Sequence, residues 1–236
     1  MKAASLQHRN LQKTESNPDR PGGVADHYLA RFELDGLRNL GRVGSDNGTR
    51  ERLLVEAVNL FAERGYDGCS MRDLANAAGV VAASIYSHFR SKQEILVAAL
   101  DHLLSEFYVH TFTGHTNRDP RELLFAILRR HIIWSATHRQ MAAAYETLIN
   151  PALMKRALDP RELERFTVAC SEYVAIIREL LDEIAGPDPE VDRHTRAHAV
   201  YDIADGAAAW FEPDGRVTPE ELADQTAILI ERIIDR

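Results

Sequence analysis

Cysteine is nearly absent from this chain. Cys69 and Cys170 are the only two in 236 residues. They lie far apart and neither belongs to a Cys-x-x-Cys pair, so neither a disulfide framework nor a zinc ribbon is indicated. Each reads as a bland, buried thiol. Glycine (13) and proline (9) are sparse, which argues against a turn-dense β architecture and for helices. No strand pattern of usable length and no tandem repeat appears. Long apolar runs are missing too: nothing approaches the roughly 18 consecutive apolar residues of a membrane span. The start, Met1-Lys2-Ala3-Ala4-Ser5, leads into a polar stretch without the apolar segment of a signal peptide. A soluble, cytoplasmic protein with no membrane partner is expected.

An excess of positive charge is also lacking, since the net charge is -8. That sum would argue against nucleic acid, so its distribution matters more. Residues 49–95 carry six basic and six acidic side chains, and residues 1–48 seven and six. Beyond residue 95, 15 basic side chains stand against 24 acidic ones, so the acidity belongs to the C-terminal part.

With 45% hydrophobic residues the chain can bury one large core or two modest ones. The expected fold is all-α with about nine helices: a flexible arm over 1–48, a helix-turn-helix domain over 49–95, and a larger helical domain over 96–236. The arm holds Asn17-Pro18, Pro21-Gly22-Gly23 and Gly44-Ser45-Asp46-Asn47-Gly48, with a weak helix from Val24 to Leu40 between these breakers. Its Arg31, Arg38 and Arg42 could touch DNA phosphates or a minor groove, the alternative being a solvated tail with no role.

What is present is a patterned stretch between Thr49 and Leu100. Helix spacing in Leu53, Leu54, Ala57, Leu60 and Phe61 predicts a first helix over 50–65, ended by Gly65. Ser70 and Asp73 form a close variant of the capping box for a second helix. Ala75 stands four residues before Gly79; the small side chain lets two helices approach steeply, and the glycine supplies a positive φ for the turn. A third helix follows over 82–89. Ser91-Lys-Gln-Glu94 reads as a full capping box that opens a fourth.

Later helices are signposted by Asp119-Pro-Arg-Glu122, Asp159-Pro-Arg-Glu162 and Thr218-Pro-Glu-Glu221. Each sets a capping side chain, a proline at the first helical position and an acid at the third. The helices so predicted span 120–137, 139–149, 160–185, 189–211 and 218–235.

The stretches Phe61-Ala-Glu-Arg-Gly65, Arg72-Asp-Leu-Ala75, Ala78-Gly-Val80, Ser84-Ile-Tyr-Ser-His-Phe89 and Ser91-Lys92 together resemble the N-terminal domain of the tetracycline-repressor (TetR) family of bacterial transcription regulators. The resemblance covers about 50 residues. It implies a homodimer on a double-stranded DNA operator, with the third helix in the major groove. On that basis Val81, Ala82, Ala83, Ser84, Tyr86, Ser87 and His88 are base or phosphate contacts, Met71 and Arg72 meet DNA at the start of the second helix, and Lys92 binds phosphate. Val81, Ala82, Ala83 and Ser84 are small for the family and suit thymine methyl groups rather than polar base edges.

The same resemblance implies a C-terminal effector pocket. Trp134, Met141, Tyr145, Leu148, Phe166, Cys170 and Tyr173 are the candidate lining, because they combine aromatic bulk with hydroxyls and a flexible Met. The segment Trp210–Leu222 resembles the closing helices of family members that sense acyl-CoA thioesters. A small hydrophobic effector is therefore expected, an acyl-CoA thioester among the alternatives, with Arg129, Arg130 or Arg178 to meet its phosphates. Ile203, Ala207 and Trp210 facing Leu222, Ile228, Leu229 and Ile233 are expected to build the dimer interface.

Two other readings stay open. One is a dimeric architectural DNA-binding protein without an effector. The other is a helical metalloenzyme built on His194-Thr-Arg-Ala-His198 and Asp192; the two imidazoles fall one turn apart, but no third ligand is evident. The pattern holds no catalytic constellation and calls for no cofactor.

Overall fold

The computed structural model describes residues 28–32, 34, 37, 47–114 and 119–235. Among them are ten helices: α1 (Asn47–Arg64), α2 (Met71–Ala77), α3 (Ala82–His88), α4 (Lys92–Phe112), α5 (Pro120–Thr137), α6 (Arg139–Leu148), α7 (Pro151–Ala157), α8 (Pro160–Ala185), α9 (Arg193–Ala207) and α10 (Pro219–Ile234). No strand occurs among the described residues, and none of their helices is long and apolar enough to cross a membrane.

The helix starts follow from capping chemistry. Ser70 accepts from the Asp73 amide while Asp73 accepts from the Ser70 amide at 2.9 Å. Asp119, Asp159 and Thr218 cap α5, α8 and α10, each ahead of a proline. At α4 the expected reciprocal box is offset. Ser91 Oγ accepts from the Glu94 amide, but the Glu94 carboxylate reaches the amide of Arg90 at 2.7 Å. The segment expected over 189–211 is shorter: Asp188 closes a separate turn on the amides of Glu190 and Val191, and Asp192 caps α9. The tenth helix, α7, lies in what reads from sequence as a connection. Asn150 caps it ahead of Pro151, but no acid follows at the third position.

α4 runs without a break from the reading head into the larger domain, burying Ile95, Leu96, Ala99 and Leu100 at one end and Phe107, Tyr108 and Phe112 at the other. α1 packs on both α4 and α6, and α10 lies along α5. One continuous core joins the N-terminal helices to the larger domain. Ion pairs brace it from outside: Arg165 to Asp101 (2.7 Å) ties α8 to α4, and Arg156 to Asp67 (2.5 Å) ties α7 to the loop after α1.

The N-terminal arm departs from the expectation of a free, DNA-touching segment. Phe32 and Leu34 are fully buried. Arg31 pairs with Glu172 and Glu179 of α8 and is not left for phosphates. The physical reason is the arm's own apolar content, Tyr28, Leu29, Phe32, Leu34 and Leu37, all packed on the core. Arg38 and Arg42 lie outside the described residues.

Candidate nucleic-acid interface and effector cavity

The head is assembled around Leu53, Ala57 and Phe61 of α1, Leu74 and Ala75 of α2, and Ile85 of α3, with Phe89 just past it, all buried. Ala75 has no exposed surface, and its carbonyl accepts from the Val80 amide at 2.9 Å. Gly79 takes φ +67° between α2 and α3, a backbone open to glycine at little cost. The helix-turn-helix geometry therefore rests on the two positions singled out in the sequence.

With Ile85 buried, the opposite side of α3 faces outward. Val81 (73% exposed) and Tyr86 (57%) are large apolar side chains left in solvent, beside exposed Ala82, Ala83 and Ser87. Ser84 and His88 are half-buried, and Ser87 Oγ donates back to the Ser84 carbonyl at 2.7 Å. Arg72 is exposed at the first turn of α2, and Met71 is half-buried against the core. Lys92 is held more firmly than a solvated lysine. Its Nζ donates to the carbonyls of Tyr66 and Cys69, each at 2.9 Å, and lies 4.3 Å from the Tyr66 ring centroid.

In the larger domain a cavity of about 190 Å³ opens between α4, α5, α6 and the end of α9. Phe107, Trp134 and Tyr145 wall it, Ala142, Ala143, Ala208 and Ala209 leave the space, and His131, Ser135 and Asp205 supply its polar groups. Arg139 and Glu146 also line it. Of the seven lining candidates, Trp134 and Tyr145 reach this space. Met141, Leu148, Phe166, Cys170 and Tyr173 do not: Leu148, Phe166 and Tyr173 are buried core, and Met141 and Cys170 are half-buried beside it. α8 is sealed off because Tyr173 Oη bonds His131 Nδ1 at 3.1 Å, while His131 Nε2 faces Asp205 at 3.3 Å.

The contribution of α9 was not legible from spacing. Asp205 sits among small residues that read as helix packing, and only the fold brings it opposite His131.

Tyr145 of the cavity wall belongs to a cluster of phenols, with Tyr108 and Tyr173 buried and Tyr201 half-buried, packed on Phe107 and His131. Burial pushes Tyr108, Tyr145 and Tyr173 well above the usual phenol range and also raises Tyr201. Burial likewise pushes the Cys170 thiol up to about 11, so it stays protonated. The three arginines assigned to phosphates are engaged elsewhere. Arg129 pairs with Asp224 (2.9 Å), Arg130 donates to the His110 carbonyl, and Arg178 lies 3.3 Å from His194. His194 and His198 are both exposed, and no group of three His, Cys, Asp or Glu able to hold a metal ion gathers among the described residues.

On the outside, Ile228 (49% exposed), Leu229 (54%) and Ile233 (41%) are uncovered apolar side chains of α10, and Trp210 (66%), three residues past the end of α9, is uncovered too. Ala207 and Leu222, expected beside them, are buried within the protomer.

The family model for bacterial regulatory proteins of the tetR family matches residues 53–99, and the model for the tetracyclin repressor-like C-terminal domain matches 117–234. The HTH-type transcriptional repressor KstR2 of Rhodococcus jostii is 32% identical over 190 residues, 76% of this chain and 87% of the relative. The TetR-family regulator PfmR of Thermus thermophilus superposes with a TM-score of 0.58 at 28% identity, covering 77% of this chain and 97% of that one. AibR, solved in complex with isovaleryl coenzyme A and operator DNA, shares the fold at 24% identity, a TM-score of 0.61 and the same coverage. Two matching domains in the right order, a relative aligned over most of both chains, and a helix-turn-helix with its outward face bare lead to one conclusion: the chain belongs to the tetR family of bacterial regulatory proteins and is a DNA-binding regulator of transcription.

Proposed function

We propose that the protein is a homodimeric repressor, released from its operator when a small, largely apolar effector fills the cavity between α4, α5, α6 and α9. The observation that carries this reading is where the cavity lies. Phe107, one of its walls, belongs to α4, the helix that begins four residues after the reading helix α3 ends. A ligand that shifts α4 therefore shifts the head it carries. Val81, Ala82, Ala83, Ser84, Tyr86, Ser87 and His88 would contact bases and the nearby backbone. Met71, Arg72 and the remaining N–H of Lys92 would contact phosphates. The bare apolar side chains of Trp210, Ile228, Leu229 and Ile233 would close against their copies, since exposed apolar patches mark interfaces.

An acyl-CoA thioester is a second, narrower reading, favoured by the ligand that AibR carries. The cavity would take only the acyl end, because ligand pockets of about 300 Å³ or more are usual even for compact molecules. Arg139 is the cation lining the cavity that could meet a phosphate.

Operator binding measured by fluorescence anisotropy on the DNA upstream of the gene tests both readings. Isovaleryl coenzyme A, isovaleric acid and an uncharged hydrophobe of similar size are titrated in. Release by any of them supports the effector reading, and release by the thioester alone supports the narrower one. No sequence-specific binding by the wild type, or wild-type affinity in Tyr86→Ala, would sink the interface assignment.

A further inference from the structure

The arm segment, residues 28–32 with Leu34, lies outside both stretches matched by the family models. It is nevertheless seated in a groove between α4 and α8. Phe32 stacks on Tyr108 of α4 with ring centroids 4.0 Å apart and meets Phe112 one turn further along at 5.3 Å. Arg31 lies between Glu172 and Glu179, two turns apart on one side of α8, and donates to both oxygens of Glu179 at 2.6 and 2.9 Å. Tyr108 in turn donates from its hydroxyl to the Ala169 carbonyl of α8 at 3.0 Å. The segment thus lies across the junction of two helices and touches both.

The neighbour of Tyr108 on α4 is Phe107, which walls the cavity. Consecutive helical residues point about 100° apart, so arm and cavity address different sides of one step of α4. The rings between them are continuous: Tyr108 to Phe107 at 5.4 Å, then Phe107 to Trp134 at 5.1 Å. Close-packed rings do not yield locally. A molecule that widens the cavity by displacing Phe107 would move α4, whose neighbouring side Phe32 covers.

We propose that residues 28–32 with Leu34 form a detachable strap, docked in the α4–α8 groove of its own chain, that braces α4 and so sets how readily the cavity opens. This rests on the reading of that cavity as the effector site. The bracing itself can be measured without any effector.

The test uses the full chain with Trp210→Phe, which leaves Trp134 in the cavity wall as the only tryptophan. Arg31→Glu sets like charges against Glu172 and Glu179. Hydrogen exchange over 28–32 reports whether the strap leaves, exchange over 105–113 reports α4, and acrylamide quenching of Trp134 reports opening. The expected result in Arg31→Glu is strap release, roughly tenfold faster exchange in α4, and about threefold stronger quenching. Adding Glu172→Arg and Glu179→Arg should restore all three. Phe32→Ala serves where charge reversal alone does not free the strap. Strap release with α4 exchange and quenching unchanged would overturn the proposal. So would a strap that neither variant frees, since it would then be ordinary core. Failure of every effector in the operator assay would leave these results standing and instead remove the effector reading.

Discussion

Lys92 carries an ammonium that two carbonyls and an aromatic face already claim. From sequence, its resemblance to the family implies a phosphate contact. The tertiary approach of the loop after α1, which supplies the Tyr66 and Cys69 carbonyls, is not legible, because those residues are 26 and 23 positions away. Both roles fit one ammonium, which has three N–H donors. Lys92→Met should therefore do two things. Losing hydrogen bonds to a charged group should lower stability by about 2 kcal/mol, read as a drop in thermal midpoint. Losing one phosphate contact should flatten the slope of log affinity against log salt by about one. An unchanged slope beside a lowered midpoint would leave Lys92 a purely internal tie. Tyr86 and Val81 carry the opposite lesson, since their exposure follows directly from the spacing that buries Ile85.

Among the elements, helix starts were the most readable feature because a cap is local. A side-chain oxygen, a proline and an acid within four residues decide it, as at Asp119, Asp159 and Thr218. α7 escaped the same rule because Asn150-Pro151 lacks the acid, and Asn150 alone accepts from the amides of Ala152 and Leu153. The cavity was half legible for a related reason. Trp134 and Tyr145 stand on helices whose apolar faces are plain, whereas Asp205, Ala208 and Ala209 depend on how α9 lies across them. At the turn between α2 and α3 a prediction can be made sharply. A Cβ on Gly79 would meet no atom within 4 Å, so only its positive φ resists substitution. Gly79→Ala should cost about 1 to 2 kcal/mol, visible as a lower urea midpoint with an unchanged m-value. A loss much larger than this would mean that the turn is also packed.

For the whole molecule, the proposed assembly rests on the bare face at α10. Leu229→Glu places a charge in the middle of the apolar patch without disturbing the core, because Leu229 is 54% exposed while Ile230 beside it is fully buried. The expected outcome is a folded monomer in sedimentation velocity, with operator affinity reduced at least about tenfold because two half-sites are no longer held together. An intact dimer in that variant would move the interface elsewhere. Ala207→Glu would not make the same test, since Ala207 is enclosed within its own protomer.

The phenols clustered beside the cavity give the molecule an alkaline ceiling. Besides Tyr28 and Tyr66, which partial burial also raises, Tyr108, Tyr145, Tyr173 and Tyr201 have their ionisation held above the usual value of 10.0, chiefly by burial. Once the pH passes 10 an unfolded chain can shed these protons, while the folded chain must keep them. The stabilisation is thus complete below pH 10 and drains away as the pH climbs toward the raised folded values. Each phenol that ionises only on unfolding costs about 1.4 kcal/mol per pH unit in that window. Absorbance at the phenolate band follows the titration. The four clustered rings should appear together in one steep step that coincides with loss of helical circular dichroism. Four rings titrating smoothly in a still-helical protein would show that water reaches the cluster without unfolding. Otherwise, base titration reads the tightness of that cluster from the colour of its own side chains.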